Sequence, residues 1–131
     1  MRTTLLTLAF ALAASPVLAN DVFGVWKSEP SDTGTYIHVE VGPCVSNGAK
    51  VCGKIIETFN GDPSRPSIVG RYIIEDMSAD GPNQWDGGTI WAPDDDETYS
   101  SEMELKGNVL EVSGCVLGGL ICRGQDWTRV N

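Results

Sequence analysis

The chain has 131 residues, of which 18 are acidic, nine are basic and one is histidine, for a formal net charge of −9. That acidity excludes a nucleic-acid binder and works against anionic lipid headgroups, because both carry dense negative charge. The length allows one domain with one modest core.

The opening residues, MRTTLLTLAFALAASPVLA, carry Arg2, an apolar run from Leu5 to Ala14 and then Val17-Leu18-Ala19. This is the pattern of a secretory signal peptide cleaved after Ala19. The apolar run is too short to cross a bilayer as a helix, so no stable membrane insertion is expected. Residues 1–19 are therefore a leader, and residues 20–131 are a single domain of a periplasmic or secreted protein. Loss of Arg2 with the leader leaves eight basic against 18 acidic side chains, a net charge of −10.

Beyond the leader no helical period of apolar residues emerges. Short alternating runs predict strands near 23–28, 35–42, 51–58, 68–77, 85–92, 98–106, 109–117 and 120–130. Turn-rich breaks separate them: SDTG, SNGAK, NGDPSRP, ADGPN, PDDDE, KGN and GG. Pro30, Pro43, Pro63, Pro66, Pro82 and Pro93 all fall in these breaks or at strand ends, where a missing N–H removes no ladder bond. About eight short strands at even spacing predict an antiparallel up-and-down barrel or a sandwich.

All four cysteines follow the leader, and an even number in an exported chain reads as disulfides. Cys44 and Cys52 bracket a turn carrying Asn47-Gly48. Cys115 and Cys122 bracket VLGGLI, where Gly118-Gly119 is a two-residue hairpin signal. Centring the turn there pairs Leu117 with Leu120, Val116 with Ile121 and Cys115 with Cys122. Opposed Cα atoms at about 4.5–5.5 Å suit a disulfide. The predicted pairings are Cys44–Cys52 and Cys115–Cys122.

The same register sends Leu110, Val112, Gly114 and Val116 to one face with Ile121, Arg123, Gln125, Trp127 and Arg129. Glu111, Ser113, Asp126 and Thr128 take the solvated face. An inward arginine requires a partner or water. Arg123, Gln125 and Trp127, with Tyr99, Trp91 and Trp85 from other strands, are therefore the candidate lining of a ligand cavity. The acidic run Asp94 to Glu97 lacks the spacing and central glycine of an EF-hand loop and reads as a solvated hairpin tip. His38 alternates with Tyr36 and Glu40 on an outward polar face. One histidine and no Ser/His/Asp order leave no triad, zinc site or thiol nucleophile, so neither a metal nor a cofactor is expected.

Four segments carry a family resemblance: FGVW (Phe23 to Trp26), CGKI (Cys52 to Ile55), WDGGTIWAP with the following ETY (Trp85 to Tyr99), and CRGQDWTRV (Cys122 to Val130). In order and spacing they resemble the exported bacterial domain-of-unknown-function family 2147, over the whole mature chain. The resemblance implies an all-β, lipocalin-like antiparallel barrel of about eight strands with no established chemistry. It also implies barrel closure by Gly24, Trp26 and Arg129, with the first-strand tryptophan packed under the last-strand arginine.

The resulting functional expectation is non-catalytic binding of a small apolar or amphipathic molecule in the barrel. An envelope-maintenance or protein-interaction module with a filled barrel is the second expectation, and a small hydrolase the third. A cavity lined by Arg123 and Trp127 separates the first from the second, and two close carboxylates in a cleft mark the third.

Overall fold

A computed structural model describes residues 19–131; the leader expected over residues 1–19 lies outside the described residues except for Ala19. A short 3-10 turn, Ala19–Val22, leads into eight strands: β1 Gly24–Lys27, β2 Tyr36–Pro43, β3 Val51–Phe59, β4 Tyr72–Ala79, β5 Gln84–Ala92, β6 Glu97–Lys106, β7 Val109–Val116 and β8 Ile121–Arg129. Each pairs antiparallel with the next, and β1 pairs with β8, so the sheet closes on itself in up-and-down order. Of the two architectures that short even strands allow, the barrel is the one formed, and closure removes most of the edge a sheet would expose.

Alternation decides which side chains fill it. Trp26, Val39, Val41, Val51, Ile55, Ile74, Met77, Met103, Leu110, Val112 and Trp127 are buried and form one contiguous core. Glycines make room where chains or side chains crowd. A Cβ on Gly53 would lie 2.9 Å from a Val39 methyl, and one on Gly88 would collide with the Met77 sulfur.

Both disulfides form as predicted, Cys44–Cys52 with Cα atoms 4.9 Å apart and Cys115–Cys122 with Cα atoms 4.1 Å apart. The β7–β8 register is also the predicted one: Leu110 opposes Trp127, Gly114 opposes Arg123 and Val116 opposes Ile121. The predicted Leu117–Leu120 pair does not form: the strands end at Val116 and Ile121, and residues 117–120 make a four-residue connection. In it Leu117, Gly118 and Gly119 take φ of 54°, 66° and 91°, and the Leu120 amide donates to the Leu117 carbonyl at 3.3 Å. The fourth strand begins later than its sequence pattern indicates, at Tyr72 and not at 68. Gly70 has a φ of +93° and the Arg71 amide donates back to the Ile68 carbonyl, so residues 68–71 turn before the strand starts.

The up-and-down order sorts the connections. Segments 28–35, 60–71, 93–96 and 117–120 lie at one end, here the upper end. The chain termini and the β2–β3, β4–β5 and β6–β7 turns lie at the lower end.

Candidate binding site

The lower end is sealed. Trp26 is fully buried and its indole Nε1 donates to the Val22 carbonyl at 2.9 Å, so its one polar atom is satisfied. Trp26 and Arg129 are register partners across the β1–β8 junction, and the guanidinium sits 4.3 Å from the indole centroid. Arg129 also donates to the Phe23 carbonyl at 3.0 Å and the Asp21 carbonyl at 2.7 Å. The cation thus caps the ring and ties down the entering chain. Gly24 has a φ of +140°, and a Cβ there would sit 2.5 Å from the Asn131 carbonyl oxygen. Only glycine lets the C-terminal residue approach so closely.

The upper end is different. Trp127, Gln125 and Arg123 alternate onto one face of β8, yet Trp127 is buried while Gln125 and Arg123 are exposed. The cause is the length of β1. With four residues, it pairs with β8 only at Trp26–Arg129 and Lys27–Thr128. Above Lys27 the barrel wall has no strand beside β8, so the inward side chains of β8 face a gap.

Register joins some of the predicted lining residues and separates others. Trp85, Met103, Val112 and Gln125 form one cross-strand row, and Ser101, Gly114 and Arg123 form the row above. Ile90 and Tyr99 pair still higher and lean over Gly114, where a Cβ would lie 3.3 Å from Ile90 and 3.5 Å from Tyr99. Trp127 is part of the packed core and donates its Nε1 to the Gln125 Oε1 at 3.0 Å. Trp85 is 3% exposed, and its Nε1 has no hydrogen-bond partner among the described residues. Trp91 does not join the group. It alternates with Ile90 onto the other face, where the Arg71 guanidinium covers its ring at 3.6 Å. At the upper end Arg123, Gln125, Tyr99 and Ile90 therefore lie on the inward face, above the rows that carry Trp85 and Trp127.

The acidic β5–β6 turn has a role that its sequence conceals. Asp96 accepts a hydrogen bond from Trp91 Nε1 at 2.9 Å, and Asp95 accepts one from the Tyr99 hydroxyl at 3.4 Å. Burial, then the charges of Asp95 and Glu97, hold the Tyr99 phenol above its ordinary pKa, against the opposing pull of Arg123. Tyr99 therefore remains a neutral donor. The sequence signal available was an acidic run immediately between two aromatics of one hairpin. His38 lies on the outer face as expected, with its ring 4.6 Å from that of Phe59.

Two clefts indent the outside of the wall. One, of about 200 Å³, is bordered by Asp80 of the β4–β5 turn and by Asp86, Glu102, Glu104 and Glu111 on β5 to β7, and it reaches Trp85 and Met103. The other, of about 230 Å³, lies beside the Cys44–Cys52 disulfide, Tyr72 and Asp76. In the first, burial and then the neighbouring Asp80 push the Asp86 carboxyl above its ordinary pKa. Asp86 and Asp80 share one outward patch, so two like charges meet there.

A closed eight-stranded antiparallel barrel, sealed at one end by an arginine-capped first-strand tryptophan, is a lipocalin-like barrel. The chain belongs to the family described as "Uncharacterized protein conserved in bacteria (DUF2147)", which it matches over residues 24–129. Among solved structures it is similar to one described as "Protein HP1028 from the human pathogen Helicobacter pylori belongs to the lipocalin family". The TM-score is 0.66 at 17% identity, over 82% of each chain, a likeness of fold. No curated protein has significant sequence similarity to the chain.

Proposed function

We propose that the protein is an exported, non-catalytic carrier that takes a small apolar or amphipathic molecule into the upper half of the barrel. The observation that carries this reading is the inward face of β8, buried at Trp127 and open to solvent at Gln125 and Arg123. Ile90 and Tyr99 offer an apolar tail a surface beside this face, and the guanidinium of Arg123 and the amide of Gln125 offer a polar head its hydrogen bonds. Two disulfides and a leader-like start support export to an oxidising compartment. The lipocalin-family neighbour supports the reading by analogy of fold.

The dense packing of the lower half favours a second reading, an interaction module whose barrel holds only its own side chains. Calorimetric titration with decanol and with decanoate separates the two. Saturable uptake of either, with decanoate uptake reduced by Arg123→Glu, supports the carrier. Absence of heat with both amphiphiles, for a protein with native melting, rejects it in favour of the filled barrel.

A further inference from the structure

β8 has two edges, and one of them is bare over most of its length. Its register against β7 runs without interruption from Ile121 to Thr128. On the other side it meets β1 only at Thr128 and Arg129. The Arg129 amide donates to Asn108 on the β7 side, whereas the Val130 amide donates to Val25 on the β1 side. Backbone groups alternate in direction along a strand. The N–H and C=O groups of Cys122, Gly124 and Asp126 therefore aim into the gap, and among the described residues no backbone group pairs with them there. Natural edge strands are blunted by proline, charged side chains or a bulge. Ile121–Asp126 has neither proline nor bulge, and its charges are Arg123, on the inward face, and Asp126.

The outer face tells which strand would fit. Glu104, Glu111 and Asp126 stand directly opposite one another across β6, β7 and β8. Like charges in one cross-strand row repel. Lys106, 3.3 Å from Glu111 and 4.0 Å from Glu104, relieves the first two and interacts more weakly with Asp126, which at the bare edge has no salt-bridge partner among the described residues. A strand added beyond β8 would place one side chain opposite Asp126, and a cation there extends the neutralisation. Its alternate side chains turn inward beside Gln125 and the exposed Ile121. A second copy of this chain would bring the same acidic row and its own net charge of −9.

We propose that the bare edge of β8, from Ile121 to Asp126, binds an extended basic segment of a partner protein by strand addition, with alternating cationic and apolar side chains. Main-chain bonds to Cys122, Gly124 and Asp126 supply the pairing, and Asp126 selects the charge. The surface adjoins the proposed ligand site, since the inward side chains of an added strand lie beside Gln125, but its main-chain pairing and its charge preference require no ligand in the barrel.

The test uses fluorescently labelled lysine–valine and glutamate–valine alternating octapeptides, read by anisotropy. The lysine peptide should bind at least about tenfold tighter than the glutamate peptide, since attraction is exchanged for repulsion. Asp126→Lys should reverse that order. Gly124→Pro removes one gap-facing N–H and leaves the β7 ladder intact, so it should abolish binding while melting stays cooperative. Should that variant not fold, slowed amide exchange at Cys122, Gly124 and Asp126 on adding the lysine peptide decides the same question. Undiminished binding to a folded Gly124→Pro protein would reduce the effect to general attraction by an acidic surface and overturn the proposal. So would no binding of either peptide, unchanged exchange at the three amides, or self-association in sedimentation that Gly124→Pro abolishes, which would assign the edge to a second copy.

Discussion

Trp26 joins three neighbours that are far apart in sequence: Val22 through its Nε1, Arg129 through its ring face and Val39 through strand pairing. Truncation to alanine empties a fully buried indole site beneath a chain terminus, and Trp26→Ala should cost about 3–5 kcal/mol. Arg129→Ala removes the cap and the two bonds to the Asp21 and Phe23 carbonyls, at a smaller cost of about 1–2 kcal/mol. The two losses should fall short of additive in the double variant, because each change already removes the shared contact. Urea denaturation of the four proteins in the cycle measures this. Strict additivity would mean that the guanidinium contributes nothing through the ring.

At the scale of elements, the outer faces of β4 to β6 concentrate charge that the fold must hold apart. The Asp86 carboxyl, raised by burial first and by Asp80 second, binds its proton more tightly folded than unfolded. Its contribution therefore favours the native state below the unfolded carboxylate pKa of about 4 and is lost as pH rises through the higher folded value. Asp86→Asn should accordingly raise the urea midpoint at neutral pH, with the gain shrinking as pH falls through the carboxylate range. A gain that grows on acidification would assign Asp86 the opposite role. Elements differ in how far the chain announced them. The β7–β8 register was legible, because centring the connection on Gly118-Gly119 sets Cys115 opposite Cys122 and strict alternation then places the side chains; its length was not, since Leu117 leaves the strand with a φ of 54°. Closure by Gly24, Trp26 and Arg129 was legible as a family pattern. The start of β4 was not, since Ile68 and Val69 have strand-like character and only the positive φ of Gly70 breaks the run. The anchoring of Trp91 and Tyr99 by Asp96 and Asp95 depends on how a turn folds back over its own hairpin, which composition does not encode. The exposure of Arg123 and Gln125 follows from the short reach of β1, a property of a strand at the far end of the sequence.

For the whole molecule, a sealed lower end and a gapped upper end imply a gradient of local stability. The slowest amides should belong to the strands around Trp26, Val39, Leu110 and Trp127, whose side chains are all at most 1% exposed and which require global unfolding to open. Along β8 the pattern should alternate. The amides of Arg123, Gln125 and Trp127 aim at β7 and share its ladder, whereas those of Cys122, Gly124 and Asp126 aim into the gap. In native-state hydrogen exchange the first set should be protected and the second should exchange faster by about tenfold or more, corresponding to a difference of at least about 1.4 kcal/mol in opening free energy. At Thr128 the pattern should end, because its neighbour in β1 is Lys27 and the wall is continuous again. Uniform protection from Ile121 to Arg129 would mean that the β8 edge is covered in solution, and the open mouth would then have to be sought elsewhere on the rim. An alternating pattern would place the opening of the barrel along its side as well as at its upper end, leaving Arg123 and Gln125 reachable from both directions.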